Sequence, residues 1–134
     1  MLYILFAFLL LSCNDYGVNK VIQTDPELVV YPETIEFGHL LSGHESGQAT
    51  FAVINAGDED LIISHPELIA GNDRFSLDDN LEENYTIGPG ETQEFNVYYI
   101  PETFESNGAL IRFVTNDEDE SQYELPVTGF GDAP

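Results

Sequence analysis

The 134-residue sequence has no tryptophan, one methionine and a single cysteine, Cys13. One cysteine cannot close an intrachain disulfide, and it brings no companion for a cysteine-based metal site. Basic side chains are almost as scarce: three Lys and Arg stand against 25 Asp and Glu, a formal charge of −22. A surface of that sign repels phosphate backbones and anionic headgroups, which excludes nucleic acid as a partner and electrostatic docking on a membrane. Long apolar runs are missing as well. The longest, Met1–Leu11, has eleven residues. That is short of the roughly 18–20 that cross a bilayer and within the 7–15 of a signal-peptide core. No Lys or Arg precedes it, although export signals usually carry one.

The apolar run ends in Leu10, Leu11, Ser12 and Cys13, followed by the polar Asn14 and Asp15. This junction resembles the lipobox of bacterial lipoproteins, with leucine at −3, a small residue at −1 and the cysteine at +1. The resemblance implies that Cys13 is lipidated and becomes the new N-terminus. The membrane would then be a partner through lipid, and the protein would sit in the bacterial cell envelope on the extracytoplasmic side. An ordinary signal peptide with an incidental cysteine is the alternative. The chain divides accordingly into a signal peptide (1–12), a lipid-anchored tether (13–27), a folded domain (28–131) and a short tail (132–134). The tether, NDYGVNKVIQTDPE after Cys13, has no repeating apolar pattern.

From Leu28 onward, short runs rich in Val, Ile, Phe and Tyr recur between Gly, Asn, Asp and Pro, the signal of many short strands. Candidates lie at 28–31, 34–40, 48–55, 60–64, 73–77, 92–99, 109–115 and 122–128. Alternation is clearest late in the chain. Phe95, Val97 and Tyr99 share one face, as do Ile111, Phe113 and Thr115, and Tyr123, Leu125 and Val127. Phe51, Val53, Phe95, Val97, Ile111 and Phe113 are the expected core. No window carries a 3.6-residue period. Strands with one face each to bury predict two packed sheets. Pro126 within its strand predicts an edge or a bulge there. GPGE at 88–91 predicts a type II turn, with Gly90 supplying the positive φ.

In this order and spacing, the segments YPETIEFG (31–38), FAVINAGDEDLII (51–63), RFSL (74–77), IGPGE (87–91), FNVYYIP (95–101), GALIRFVTND (108–117) and LPVTGFG (125–131) resemble the Hydin-type, or choice-of-anchor, immunoglobulin-like domains. These are related in fold to major sperm protein. The resemblance implies an all-β, immunoglobulin-like sandwich of about seven strands that binds proteins or spaces them apart. It brings no catalytic residues. In eukaryotes such domains are associated with cilia and centrosomes, so a cytosolic ciliary-type domain is a further alternative.

The sequence has no Gly-x-Ser-x-Gly elbow, no phosphate-binding loop and no His-Glu-x-x-His. His65 and Glu67 have the His-x-Glu spacing of zinc deaminases without the accompanying Pro-Cys-x-x-Cys. Ser42 and His44 are neighbours on what is expected to be an exposed turn, and His39 with His44 could offer a transition metal two nitrogens. The acidic stretches AGDEDL, LDDNLEEN and TNDEDESQ fall between strands and are expected to be solvated. Ca²⁺ takes six to eight oxygens from such loops. Pooled at one end of a sandwich, Asp58, Asp60, Asp117 and Asp119 would be its ligands in a calcium-dependent adhesion or sensing domain. NYT at 84–86 is a glycosylation sequon by pattern. The sequence therefore predicts no enzyme and no required cofactor, with calcium as the alternative. The expected function is a lipid-anchored envelope module that binds or spaces proteins.

Overall fold

The computed structural model describes residues 24–71 and 73–134. Among the described residues ten strands follow in chain order: β1 (Leu28–Tyr31), β2 (Ile35–Leu41), β3 (Gly47–Asn55), β4 (Leu61–Ser64), β5 (Glu67–Gly71), β6 (Phe75–Leu77), β7 (Asn84–Ile87), β8 (Thr92–Tyr99), β9 (Glu105–Val114) and β10 (Gln122–Asp132). A 3₁₀ turn, Glu118–Glu120, precedes β10. One sheet runs β2-β10-β9-β5 and the other β1-β3-β8-β6, while β4 and β7 pair as a separate ribbon. Every pairing is antiparallel except β10 with β2, which is parallel. An isolated bridge between Ile63 and Thr115 ties the ribbon to the chain just beyond β9.

The period-two pattern decides which face each strand buries. Phe95, Val97 and Tyr99 of β8 point inward, and Phe51 and Val53 of β3 meet them from the neighbouring strand. Ile111 and Phe113 of β9, with Leu125 and Val127 of β10, close the core from the opposite sheet. All six residues expected in the core are buried. With no tryptophan, aromatic pairs fill the space between sheets. Phe51 and Phe95, directly opposed in register, have centroids 5.4 Å apart, and Phe75 stacks on Tyr99 at 4.7 Å. Such pairs contribute about 0.5–1.5 kcal/mol each beyond their buried area. The turn at 88–91 is as expected: Gly90 has φ 78°, and Glu91 N–H donates to the Gly88 carbonyl at 2.9 Å.

The expected all-β sandwich is present, with two strands more than the eight segments picked out above. β5 shows no alternation because only Leu68 is half-buried, the rest of the strand lying exposed beside a register shift opposite Leu110 and Ile111. β7 is four residues in a polar stretch, and only Tyr85 and Ile87 turn toward the interior. Pro126 lies in a strand inside its sheet, not at an edge, and a register shift against β2 follows between Thr128 and Phe130. Its missing N–H is accommodated because β2 begins pairing one residue later, at Val127 opposite Ile35.

Candidate interaction surface

Two acidic loops meet at one end of the sandwich. Residues 56–59 and 116–120 line a groove of about 670 Å³ together with Asp25 and Glu27. Asn55, fully buried at the end of β3, organises this end. Its Oδ1 accepts from Glu27 N–H (3.2 Å) and Gly57 N–H (2.9 Å), and its Nδ2 donates to the Glu59 carbonyl (2.6 Å) and the Ile87 carbonyl (2.9 Å). Gly57 is required because a Cβ there would strike the Asp25 carbonyl and the Glu27 amide.

Of the four aspartates offered for calcium, Asp58, Asp117 and Asp119 line this groove. Asp60 is held alongside, its carbonyl accepting from Asn116 Nδ2 at 3.1 Å. Asp117 corrects the picture of uniformly solvated acidic loops. It is 5% exposed, and its two carboxylate oxygens accept from Leu28 N–H (2.8 Å) and Asp119 N–H (2.9 Å). It fastens the start of β1 and caps the 3₁₀ turn. Among the described residues no three His, Cys, Asp or Glu side chains converge as a metal set.

The histidines are dispersed. His65 Nε2 lies 3.7 Å from Glu67 Oε2, and His44 Nδ1 lies 3.1 Å from the Ser42 carbonyl. Ser42 is buried, contrary to the exposed turn expected for it, because its hydroxyl donates to the Asp132 carbonyl at 2.6 Å. His39 turns to Asp132 instead of His44, with Nδ1 and Oδ1 2.8 Å apart. On the outer face of the other sheet, Tyr98 O–H donates to Asp78 Oδ1 (2.6 Å) and Asn96 Nδ2 to Asp78 Oδ2 (3.2 Å). The Asp78 hydrogen bond and burial hold the Tyr98 phenol above its ordinary pKa of 10.0, so this polar ladder keeps its proton at neutral pH.

The one cluster of aromatic side chains turned away from the core sits at the far end of β10, among the described residues. Odd-numbered residues of β10 face the core up to Val127, so Phe130 faces outward. The parallel register places His39 beside it, with ring centroids 4.8 Å apart. Gly131 lets the 101–104 loop lie against β10, since a Cβ there would strike the Thr103 carbonyl. That loop sets Phe104 edge-on against Phe130 at 5.5 Å and 83°. Phe104 is 67% exposed. Pro101 and Asp132 are both fastened to the β2–β3 turn: Gly43 N–H donates to the Pro101 carbonyl and Ser42 N–H to the Asp132 carbonyl, each at 2.9 Å.

Two carboxylates lie by this corner: Asp132 is bound to His39, and Glu45 accepts from Leu41 N–H at 2.7 Å. Glu105 opens β9 opposite Gly131, on the same face of the sheet as buried Asn107 and Ala109. Hydrogen bonds from Asn107 and then Thr103 hold the Glu105 carboxyl below its ordinary 4.5, so it stays charged in mild acid. The basic side chains among the described residues are Arg74 and Arg112. Arg74 contacts Asp73 and Glu102 at 3.2 Å each, and Arg112 contacts Glu124 at 2.8 Å. The corner was missed in the sequence because Phe104 lies outside any strand. The phase of β10 was signal enough for Phe130.

Cys13, Leu10, Leu11 and Ser12 lie outside the described residues. No helix among the described residues is long and apolar enough to cross a membrane.

No curated protein sequence matches the chain. Among solved structures, it is similar to the ASH/PapD-like domain 7 of human CEP192 (10% identity, 89% of this chain and 95% of that one, TM-score 0.61). It is also similar to a protein of unknown function from Porphyromonas gingivalis W83 (16%, 80% and 47%, TM-score 0.66). A third likeness is to a chain of the CsuC–CsuE chaperone–tip adhesion subunit complex of Acinetobacter baumannii (11%, 78% and 57%, TM-score 0.56). The chain thus spans about half the length of the latter two. At these identities the likeness is one of fold, an immunoglobulin-like sandwich. Residues 26–129 match a family in their own right, and by that match the chain belongs to the HYDIN/CFA65/VesB-like family of Ig-like domains.

Proposed function

We propose that this protein is a non-catalytic interaction module, held at the bacterial cell envelope by lipid on Cys13 and presenting its sandwich to a protein partner. The observation that carries the reading is the outward cluster of Phe104, Phe130 and His39, fixed on a strand and a fastened loop instead of a mobile tip. Aromatic side chains on a rigid scaffold supply large contact area at little entropic cost, which is why they dominate protein interfaces. The immunoglobulin-like fold lends support, since one structure of similar fold is a chaperone–adhesin pre-assembly complex. Anchoring rests on the lipobox pattern at Leu10–Cys13. Two acyl chains hold stably where one does not.

Affinity capture from detergent-solubilised membranes of the source organism tests both halves. Wild type is expected in the membrane fraction with a stoichiometric protein partner that Phe104→Ser loses. Cys13→Ala is expected in the soluble fraction or as uncleaved precursor. Normal cleavage with equal membrane retention of Cys13→Ala removes the lipid anchor, and capture unaffected by Phe104→Ser removes this corner from the interface.

A further inference from the structure

We infer that the Phe104–Phe130–His39 corner docks a cationic polypeptide segment, one that presents an aliphatic or aromatic anchor side chain between Lys or Arg residues. The inference rests on the interaction reading above and specifies the chemistry of the partner.

The corner joins two features that ask for different parts of one ligand. Its centre is apolar: Phe104 leaves most of its ring in solvent, edge-on to Phe130. A buried aromatic or aliphatic anchor is the usual source of affinity at such a point. Its rim is anionic, with Asp132 bound to the His39 ring and Glu45 held on the adjoining turn by Leu41 N–H. Of the described cations, Arg112 pairs with Glu124, and Arg74 pairs with Asp73 and Glu102. The net charge of −22 extends the same sign over the whole surface. Charge complementarity then selects the occupant. A second copy of this chain would bring two strongly anionic surfaces together, and an anionic membrane would be repelled for the same reason. A basic segment is attracted over distance and seated by the rings. On the outer face beside the corner Gly108 carries no side chain, and a Cβ there would meet only the Val127 carbonyl, at 3.7 Å.

The test uses the full-length chain in zwitterionic nanodiscs, with empty nanodiscs as reference, and fluorescence anisotropy of three labelled heptapeptides. One alternates lysine with phenylalanine and leucine, the second has glutamate for lysine, and the third has serine for the apolar residues. Only the lysine–apolar peptide is expected to bind, more weakly as salt is raised. Phe104→Ser should weaken it at least about tenfold, the loss of one anchor. The Glu45→Gln/Asp132→Asn double variant should weaken it and flatten the salt dependence. Tyr31→Ser, which alters a residue 72% exposed on the other sheet, should leave binding unchanged. Equal binding by Phe104→Ser, with loss in Tyr31→Ser, would move the surface and overturn this assignment while the interaction reading stands. Preference for the glutamate peptide, or no binding above empty nanodiscs, would overturn the cationic partner. Membrane capture of a partner that Phe104→Ser still loses would then keep the interaction reading separate from that failure.

Discussion

Asn55→Ala removes a side chain that serves four backbone groups at once. Two of them, Glu27 N–H and Gly57 N–H, lose their acceptor, and the Glu59 and Ile87 carbonyls lose their donor. An unpaired buried polar group costs about 1–3 kcal/mol, whereas one that water can reach costs about 0.5–1.5. The Ile87 carbonyl belongs to the first class. The other three border the acidic groove and belong to the second. The expected loss is about 3–5 kcal/mol, a large part of the 5–15 that a domain of this size has. At about 4–6 °C per kcal/mol, the melting temperature should fall by about 12–30 °C. Urea unfolding followed by circular dichroism near 218 nm measures the loss directly. Asn116→Ala is the control: that side chain makes two hydrogen bonds, to Ile62 N–H and the Asp60 carbonyl, both exposed. It should cost about 1–2 kcal/mol at most. Asn55→Asp keeps the two acceptor contacts but turns an oxygen toward two carbonyls. Its deficit should grow as pH rises and the buried carboxyl ionises. An Asn55→Ala cost below about 1 kcal/mol would refute the account of how this end of the sandwich is held.

Phe113, buried between the sheets with its ring stacked on Tyr123 at 5.5 Å, should cost about 3–5 kcal/mol on replacement by Ala, and residues 24–134 should show an all-β circular dichroism spectrum without metal. A cost below about 1 kcal/mol, or substantial helix, would contradict the packing described. NaCl should raise the melting temperature progressively, because the screening length falls from about 30 Å at 0.01 M to about 3 Å at 1 M and the compact state has more repulsion to lose. A saturable Ca²⁺ effect of several degrees, unmatched by Mg²⁺ at equal ionic strength, would instead establish a site at Asp58, Asp60, Asp117 and Asp119. Burial, chiefly, raises the Tyr99 and Tyr123 phenols above 10.0 in the folded state. Their contribution is therefore complete below the unfolded pKa and lost as pH rises through the folded one, so unfolding should accompany phenolate absorbance above pH 10. Ionisation of these phenols before any loss of structure would contradict their placement.

The sandwich was legible because period-two alternation states which face each long strand buries. Phe95, Val97 and Tyr99 could be oriented from the sequence alone, as could Ile111 and Phe113. β5 and β7 were not legible, since they are held by pairing with β9 and β4 and bury too little to leave a pattern. The acidic loops were visible as composition, but composition does not distinguish Asp117, a buried cap on two backbone amides, from its solvated neighbours. That distinction depends on β1 passing beside residue 117, a contact 89 residues apart in the chain. The aromatic corner depends on long-range placement too. Phe104 reaches Phe130 because Gly131 admits the loop, and His39 reaches it through a parallel pairing that no local pattern announces.

The central claim is that a protein partner meets the sandwich at the corner of Phe104. Its most direct test places a photo-cross-linking amino acid at position 104, and separately at position 31 on the opposite sheet, in the full-length chain within its own membranes. A discrete protein adduct from position 104, absent from position 31 and competed by the lysine–apolar peptide, is the predicted result. An adduct to lipid, or equal protein adducts from both positions, would contradict the claim.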